Sequence, residues 1–455
     1  MEEAPQLPAL DHSGKQLGLS AQADTLKILR NASTALLLRV IGAACGYGLG
    51  ILIARILGAS GLGILSLGTT CVMVACVFGR FGLDNVILRL VATANTAADH
   101  SRIREIYRRS MRLSLIFSSI AAAILLISAR EIAELVFNEP NLTNVLRILA
   151  VSVVPASLLT LHSEFLKGLS RGNQAMFIQT VAVPLFMCIA LVAVSSLLVN
   201  VEALAAIQTG TVALIAVLAA GLCMRLLTRV GPTKRPLVRK ELLLPAHPLF
   251  WVALMNVIMS YTDVVLLGMS TESASVGVYA AAASSAALVN FVLAAVNTVT
   301  PPLFATLYAQ QRIDDLARLA RQSTLLMTIV AAPALCLFFL WPSAVLRLFG
   351  TEFTAGSPVL SILSVGQFFN VATGSVGYLL MMTGHERWMR NNIIAMALLN
   401  LFLCILLIPP YGMIGAAVAT ATSLSCMNLI SMAFVYKKLS FLTFPIPTRF
   451  VTRDG

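Results

Sequence analysis

Residues 391–410 read NNIIAMALLNLFLCILLIPP, and residues 412–436 read GMIGAAVATATSLSCMNLISMAFVY. Neither stretch carries an ionised side chain, and each is long enough to cross a hydrocarbon layer, which takes about 20 apolar residues in a helix. Between them stands Pro409-Pro410-Tyr411-Gly412, a joint short enough for one tight turn. The pair reads as two membrane helices folded back on each other. A soluble core would show apolar stripes at helical or strand spacing instead of unbroken blocks.

Working outward, ten further blocks of this kind precede the pair, at 34–57, 61–79, 111–128, 145–166, 174–199, 203–225, 246–270, 277–304, 323–346 and 357–383. The chain is 58% hydrophobic and 11% charged over 455 residues, less than half the charge of an ordinary soluble domain. The expected fold is all-α integral membrane with about twelve transmembrane helices. The spans are numbered 1 to 12 in chain order below.

The stretch from Met1 to about Arg30 has no apolar core that could act as a signal peptide. Of 32 Lys and Arg, 27 fall on the side of that tail in a twelve-span arrangement. Arg55, Arg130, Arg147 and Arg347 fall on the other side, and Arg39 lies inside span 1. Positive residues hold to the cytoplasm, so both termini are expected there, in a bacterial plasma (inner) membrane. The net charge of +12 follows, because cationic loops sit beside an anionic leaflet. No nucleic-acid partner is needed to explain it.

The eight cysteines all lie in apolar blocks without metal-ligand spacing and read as small buried residues. Gly46-Tyr47-Gly48-Leu49-Gly50 lies within a span and follows no strand, which excludes a phosphate loop. No catalytic constellation stands outside the membrane, so no enzyme is expected.

The chain repeats itself. Val145–Val151 returns as Val359–Val365 and Gly63 as Gly277, each at an offset of 214. Gly168 and Arg171 return as Gly384 and Arg387 at 216, and Phe137 as Phe349 at 212. Six spans per half is an even number, so the halves share one orientation and relate by a parallel pseudo-twofold axis along the membrane normal, with substrate between them. The expected organisation is a cytoplasmic N-terminal tail at 1–30, an N-lobe at 31–230 and a basic linker at 231–245. A C-lobe at 246–436 and a cytoplasmic tail at 437–455 complete it.

Several motifs carry a family resemblance. Arg55-Ile56-Leu57-Gly58-Ala59-Ser60-Gly61-Leu62-Gly63 follows span 1, and Phe81-Gly82-Leu83-Asp84 with Arg89 follows span 2. Lys167-Gly168-Leu169-Ser170-Arg171-Gly172 follows span 4. Tyr261-Thr262-Asp263-Val264-Val265-Leu266-Leu267-Gly268 is followed by Val276-Gly277-Val278-Tyr279-Ala280-Ala281-Ala282. Together they resemble the polysaccharide transporter (Wzx-type oligosaccharide flippase) family, a relative of MATE-type exporters and of peptidoglycan-precursor flippases. The resemblance implies two six-helix lobes, a MATE-like V-shaped cavity and alternating access. It implies a polyprenyl-pyrophosphate-linked oligosaccharide moved to the periplasmic leaflet for O-antigen, capsule or exopolysaccharide synthesis. The partners it implies are that lipid-linked oligosaccharide, membrane lipids, and a polysaccharide polymerase with its export machinery.

Such a cargo carries an anionic pyrophosphate and many hydroxyls past a layer about 30 Å thick, which demands a polar, partly cationic path. Arg39 shares one helix face with Gly42, Gly46 and Gly50, and is either a pyrophosphate contact or a residue snorkelling to headgroups. Arg55, near the other end, reads as a snorkelling residue. Arg80 and Arg89 are entry-side headgroup candidates, although Arg80 has Asp84 at pairing distance if the helix continues. His162 and Glu164 read as a solvated helix end. Asn256 and Ser260, Asn290 and Asn297, and Gln367 and Asn370 form uncharged polar stripes, either a sugar-facing lining or interhelical glue. Asp263 follows Asn256 and Ser260 on one face, roughly 22 Å along its span at the helical rise. It is the candidate for ion coupling, with no cofactor expected beyond H+ or Na+.

Two other classes remain open. A MATE-type cation-coupled exporter of small organic molecules would want acids in its cavity, whereas the buried charges of the first half are mainly arginine. A membrane glycosyltransferase or polymerase would need a sizeable extracytoplasmic loop, and none is that long.

Overall fold

A computed structural model of the chain describes residues 13–194, 200–227, 239–297 and 299–444. Among the described residues every regular element is helical. Among these same residues, ten helices are long and apolar enough to cross a membrane. Two of them hold a pair of spans each: Ser13–Arg80 breaks at Gly58 (φ 69°) and Glu386–Leu439 at Gly412 (φ 54°). Both breaks use left-handed backbone, which glycine adopts without a Cβ penalty. The Gly412 break is the turn expected after Pro409-Pro410. Its arms run antiparallel, because Asn392 Nδ2 donates to the Met427 carbonyl and to Ser431 Oγ, both at 2.8 Å. The twelve expected spans are thus accounted for.

Span 2 ends at Arg80 because Phe81 (φ 47°) and Gly82 (φ 74°) turn the chain. The helix Leu83–Thr96 then buries Leu83, Val86, Ile87 and Val91 on one face. Asp99 caps the next helix by accepting from the Arg102 amide at 3.0 Å. That amide, with the Ser101 hydroxyl, holds the exposed Asp99 carboxyl below its usual range.

Three of the expected tail and linker segments carry structure of their own. The first helix is described from Ser13 onward, which lies inside the expected tail. The helix Arg239–Ser270 takes in the end of the expected linker, whose residues 231–238 lie outside the described residues. After Leu439 the chain packs back on the C-lobe: Phe441 is buried, the Leu442 carbonyl accepts from Arg321 Nε at 3.0 Å, and Thr443 donates to the Thr373 carbonyl at 2.7 Å.

The repeat is visible as reciprocal contact between lobes. A Cβ on Gly63 would overlap the Ser273 carbonyl, and one on Gly277 would overlap the Ala59 carbonyl. Phe137, between spans 3 and 4, lies against Gly268 of span 7, while its counterpart Phe349 lies against Gly50 and Tyr47 of span 1. All these contacts are at the Gly58 end, where one buried cluster runs through both lobes, from Leu67 and Leu146 to Tyr279 and Leu360. Toward the arginine-rich end the core divides. One cluster there is built on Ile87, Ile106 and Phe165 and takes in Leu242 and Ala246 at the start of span 7, and a separate one is built on Phe304, Leu380 and Val435. At the Gly58 end one core joins both lobes, whereas at the arginine-rich end the rest of the C-lobe has its own core and only the start of span 7 packs on the N-lobe, where a Cβ on Gly82 would strike the Ala246 carbonyl and Phe81 stacks on Phe250.

Candidate functional site at the lobe boundary

Span 8 is irregular where the buried core divides. Leu288, Val289 and Phe291 donate to carbonyls three residues back (Ser285, Ala286 and Leu288), so the helix tightens before Asn290. Span 10 breaks at Gly374 (φ 75°), beside Ser375. These two irregular stretches face each other. Asn370 Nδ2 donates to Asn290 Oδ1 at 3.0 Å and to Gln367 Oε1 at 3.2 Å, and the Ser375 hydroxyl donates to Asn297 Oδ1. Four of the six stripe residues therefore line one contact between spans 8 and 10, Asn290, Gln367 and Asn370 in one bonded group and Asn297 in a second with Ser375, which the stripes did not include.

Arg39 reaches this contact from the N-lobe. Its Nη1 donates to the Ala294 carbonyl at 3.1 Å, between Asn290 and Asn297 on span 8. Two turns further along span 1, Tyr47 and Ser285 share a hydrogen bond of 3.1 Å. Spans 1 and 8 thus form an antiparallel polar seam with a guanidinium beside neutral amides. Such a set suits an anion carrying hydroxyls.

Asn256 and Ser260 are not part of that contact. Each is exposed and bonds its own helix, Asn256 Nδ2 to the Val252 carbonyl at 2.9 Å and Ser260 Oγ to the Asn256 carbonyl at 2.8 Å. Asp263 turns into the C-lobe instead. It accepts from the Tyr279 hydroxyl of span 8 and from Thr420 Oγ1 of span 12 at 3.4 Å, and its Oδ1 caps the Val264 amide at 2.8 Å.

The arginine-rich end changes several expectations. Arg80 does not pair with Asp84, because the turn at Phe81-Gly82 removes the helical spacing. Arg80 Nη1 donates to Thr160 Oγ1 at 3.2 Å, and Asp84 accepts from the Asn85 amide at 3.0 Å. Arg89 is exposed and pairs with no acid among the described residues. His162 is buried against Tyr107, whose hydroxyl lies 3.3 Å from its Nδ1, so it is no solvated helix end. Glu164 pairs with Lys167 at 2.6 Å. At the other end Arg55 does more than snorkel: its Nε donates to the Leu348 carbonyl at 2.7 Å, and Glu352 Oε1 accepts from the Ala59 amide at 2.8 Å. These two bonds tie the lobes together.

The cross-span partners Tyr47, Tyr279, Ser285, Glu352, Ser375 and Thr420 escape a reading of single helices. Of these, Tyr279 stood in the motif after Val276 and Tyr47 in the glycine cluster Gly46–Gly50, neither with a partner legible.

A family model described as "Polysaccharide biosynthesis protein" matches residues 28–308, more than half of the chain, and one described as "MatE" matches 248–406. The probable low-salt glycan biosynthesis flippase Agl15 of Haloferax volcanii is 26% identical over 197 residues, 40% of this chain and 41% of that protein. Stage V sporulation protein B of Bacillus subtilis is 26% identical over 126 residues, 28% of this chain and 24% of that protein. The aligned stretches therefore span less than half the length of either relative. Among solved structures, an inward-facing multidrug resistance MATE family transporter superposes with a TM-score of 0.69 at 14% identity, over 90% of this chain and 98% of its own. The lipid II flippase MurJ, in an inward closed conformation, gives 0.65 at 13% identity, over 88% of this chain and 86% of its own. Those likenesses establish the fold.

Proposed function

We propose, from the premise that the chain belongs to the polysaccharide biosynthesis protein family, that it is a flippase for a polyprenyl-pyrophosphate-linked oligosaccharide. It takes this lipid from the cytoplasmic to the periplasmic leaflet of a bacterial inner membrane by alternating access, with both of its own termini cytoplasmic. The observation that carries the reading is Arg39 donating to the Ala294 carbonyl, beside the Asn290–Asn370 and Asn297–Ser375 pairs. The guanidinium suits the pyrophosphate, the amides suit sugar hydroxyls, and the polyprenyl tail stays in lipid. The names of the Haloferax relative and of the MurJ neighbour support the same cargo class.

In this reading Arg80 and Arg89 attract the headgroup at the arginine-rich end, and Asp263 with Tyr279 and Thr420 couples the cycle to H+ or Na+. A polysaccharide polymerase and its export machinery take the flipped product. A MATE-type exporter of small organic cations is the second reading, favoured by the family match at 248–406 and by Asp263 itself. Proteoliposomes separate the two. Movement of lipid-linked oligosaccharide that is lost in Arg39→Ala supports the flippase, whereas movement of organic cations that is lost in Asp263→Asn alone supports the exporter.

A further inference from the structure

Spans 3, 4 and 6 form an apolar groove of about 640 Å³ on the N-lobe. Its walls carry small residues that leave the space unfilled, Ala122 and Ala123 on span 3 and Ala213 and Ala216 on span 6, over a floor that includes Pro155 and Leu158. The groove is not part of the lobe boundary, because spans 3, 4 and 6 make their extended contacts within the N-lobe. The buried His162, held by Tyr107, marks its arginine-rich end.

Arg108 and Arg112 lie on the same face of span 3 as Ser119, Ala123 and Leu126 of the groove, at steps of four, seven, four and three residues. Both arginines are exposed, and neither pairs with an acid among the described residues; the nearby Glu105 is taken by Arg109. From Arg112 to Ala123 the helix rises about 16 Å, close to the depth of one leaflet of a core about 30 Å thick. An apolar groove facing hydrocarbon loses dispersion contacts unless chains fill it. The two free guanidinium groups at its rim select among the chains on offer by the head they carry, since guanidinium holds phosphate oxygens in a two-pronged way.

We propose that this groove is a binding site for an anionic phospholipid of the bilayer, with its acyl chains between spans 3 and 6 and its phosphate on Arg108 and Arg112. The site is independent of the cargo assigned above.

The test uses the full chain in nanodiscs, with Trp251, Trp341 and Trp388 replaced by Phe and a reporter introduced as Ser119→Trp. Val217→Trp, on the opposite wall, is a second reporter in case the first misfolds. Brominated phosphatidylglycerol should quench the reporter at a mole fraction about twenty-five-fold below that needed for brominated phosphatidylcholine. Each arginine should supply about five-fold of that preference. R108Q/R112Q should abolish it, while R387Q/R390Q, at the arginine-rich end of the other lobe, should leave it intact. Equal quenching by the two lipids overturns the site, as does equal loss in both double variants, which would mean general surface charge. Displacement of phosphatidylglycerol by equimolar polyprenyl diphosphate would also overturn it, by giving the groove to the cargo.

Discussion

Gly63 and Gly277 meet face to face across the lobe boundary, each lying where a Cβ on the other would strike backbone. They are 214 residues apart, as are Ala59 and Ser273, whose carbonyls they approach. The same surface therefore meets itself, as in an isologous dimer interface. The two halves of one chain thus meet along a pseudo-twofold seam.

Overfilling that seam should loosen the Gly58 end. Gly63→Ala or Gly277→Ala places a methyl group against backbone, which costs about 1–3 kcal/mol. On a background lacking the eight native cysteines, Ser60→Cys should then react about tenfold faster with an aqueous maleimide, since about 1.4 kcal/mol is a factor of ten. An unchanged rate would mean that the seam does not hold the closed end.

Arg39 should be needed for transport and dispensable for folding, because its hydrogen bond to the Ala294 carbonyl is only partly buried. Arg39→Ala should abolish export at normal membrane levels. Arg39→Lys should restore only part, because an ammonium is a point charge without the guanidinium fork. Wild-type export by the alanine variant would reduce Arg39 to a headgroup anchor.

Asp263 presents a sharper choice now that its partners are known. If it binds the coupling ion, Asp263→Asn should keep substrate binding but lose transport driven by an imposed pH or sodium gradient, and Tyr279→Phe should shift the pH dependence. If it only joins spans 7, 8 and 12 through Tyr279 and Thr420, both variants should lower folded yield by about 1–3 kcal/mol of lost hydrogen bonding and leave gradient dependence intact. Transport against pH at matched protein levels decides between them.

What was legible in the sequence was whatever a single helix or the repeat could express. Gly412 after two prolines announced its turn, and the Gly63–Gly277 offset announced the axis on which they meet. Asn290, Asn297, Gln367 and Asn370 stood out as stripes because polar amides are rare in spans. Their joining was not legible, since it depends on how far span 10 turns at Gly374. The Arg80–Asp84 spacing misled because two positive-φ residues, Phe81 and Gly82, break the helix between them. His162 misled because a helix end is assumed wet, whereas the helix holding Tyr107 covers it.

Topology offers an independent check on the charge reading. Reporter fusions after Gly231 and after Glu272 flank span 7 and should report opposite sides, with Gly231 cytoplasmic. The same side for both would remove span 7 and with it the two-lobe arrangement.

The central claim is that a lipid-linked glycan crosses the bilayer between these lobes. It is tested most directly in proteoliposomes carrying a fluorescent polyprenyl-pyrophosphate oligosaccharide in both leaflets and treated from outside with a glycosidase. In protein-free vesicles the inner-leaflet half stays protected. With the wild-type chain the protected fraction should fall toward zero, and with Arg39→Ala it should stay at one half. A protected half that persists with folded wild-type protein, under an imposed proton or sodium gradient of either direction, would contradict the account.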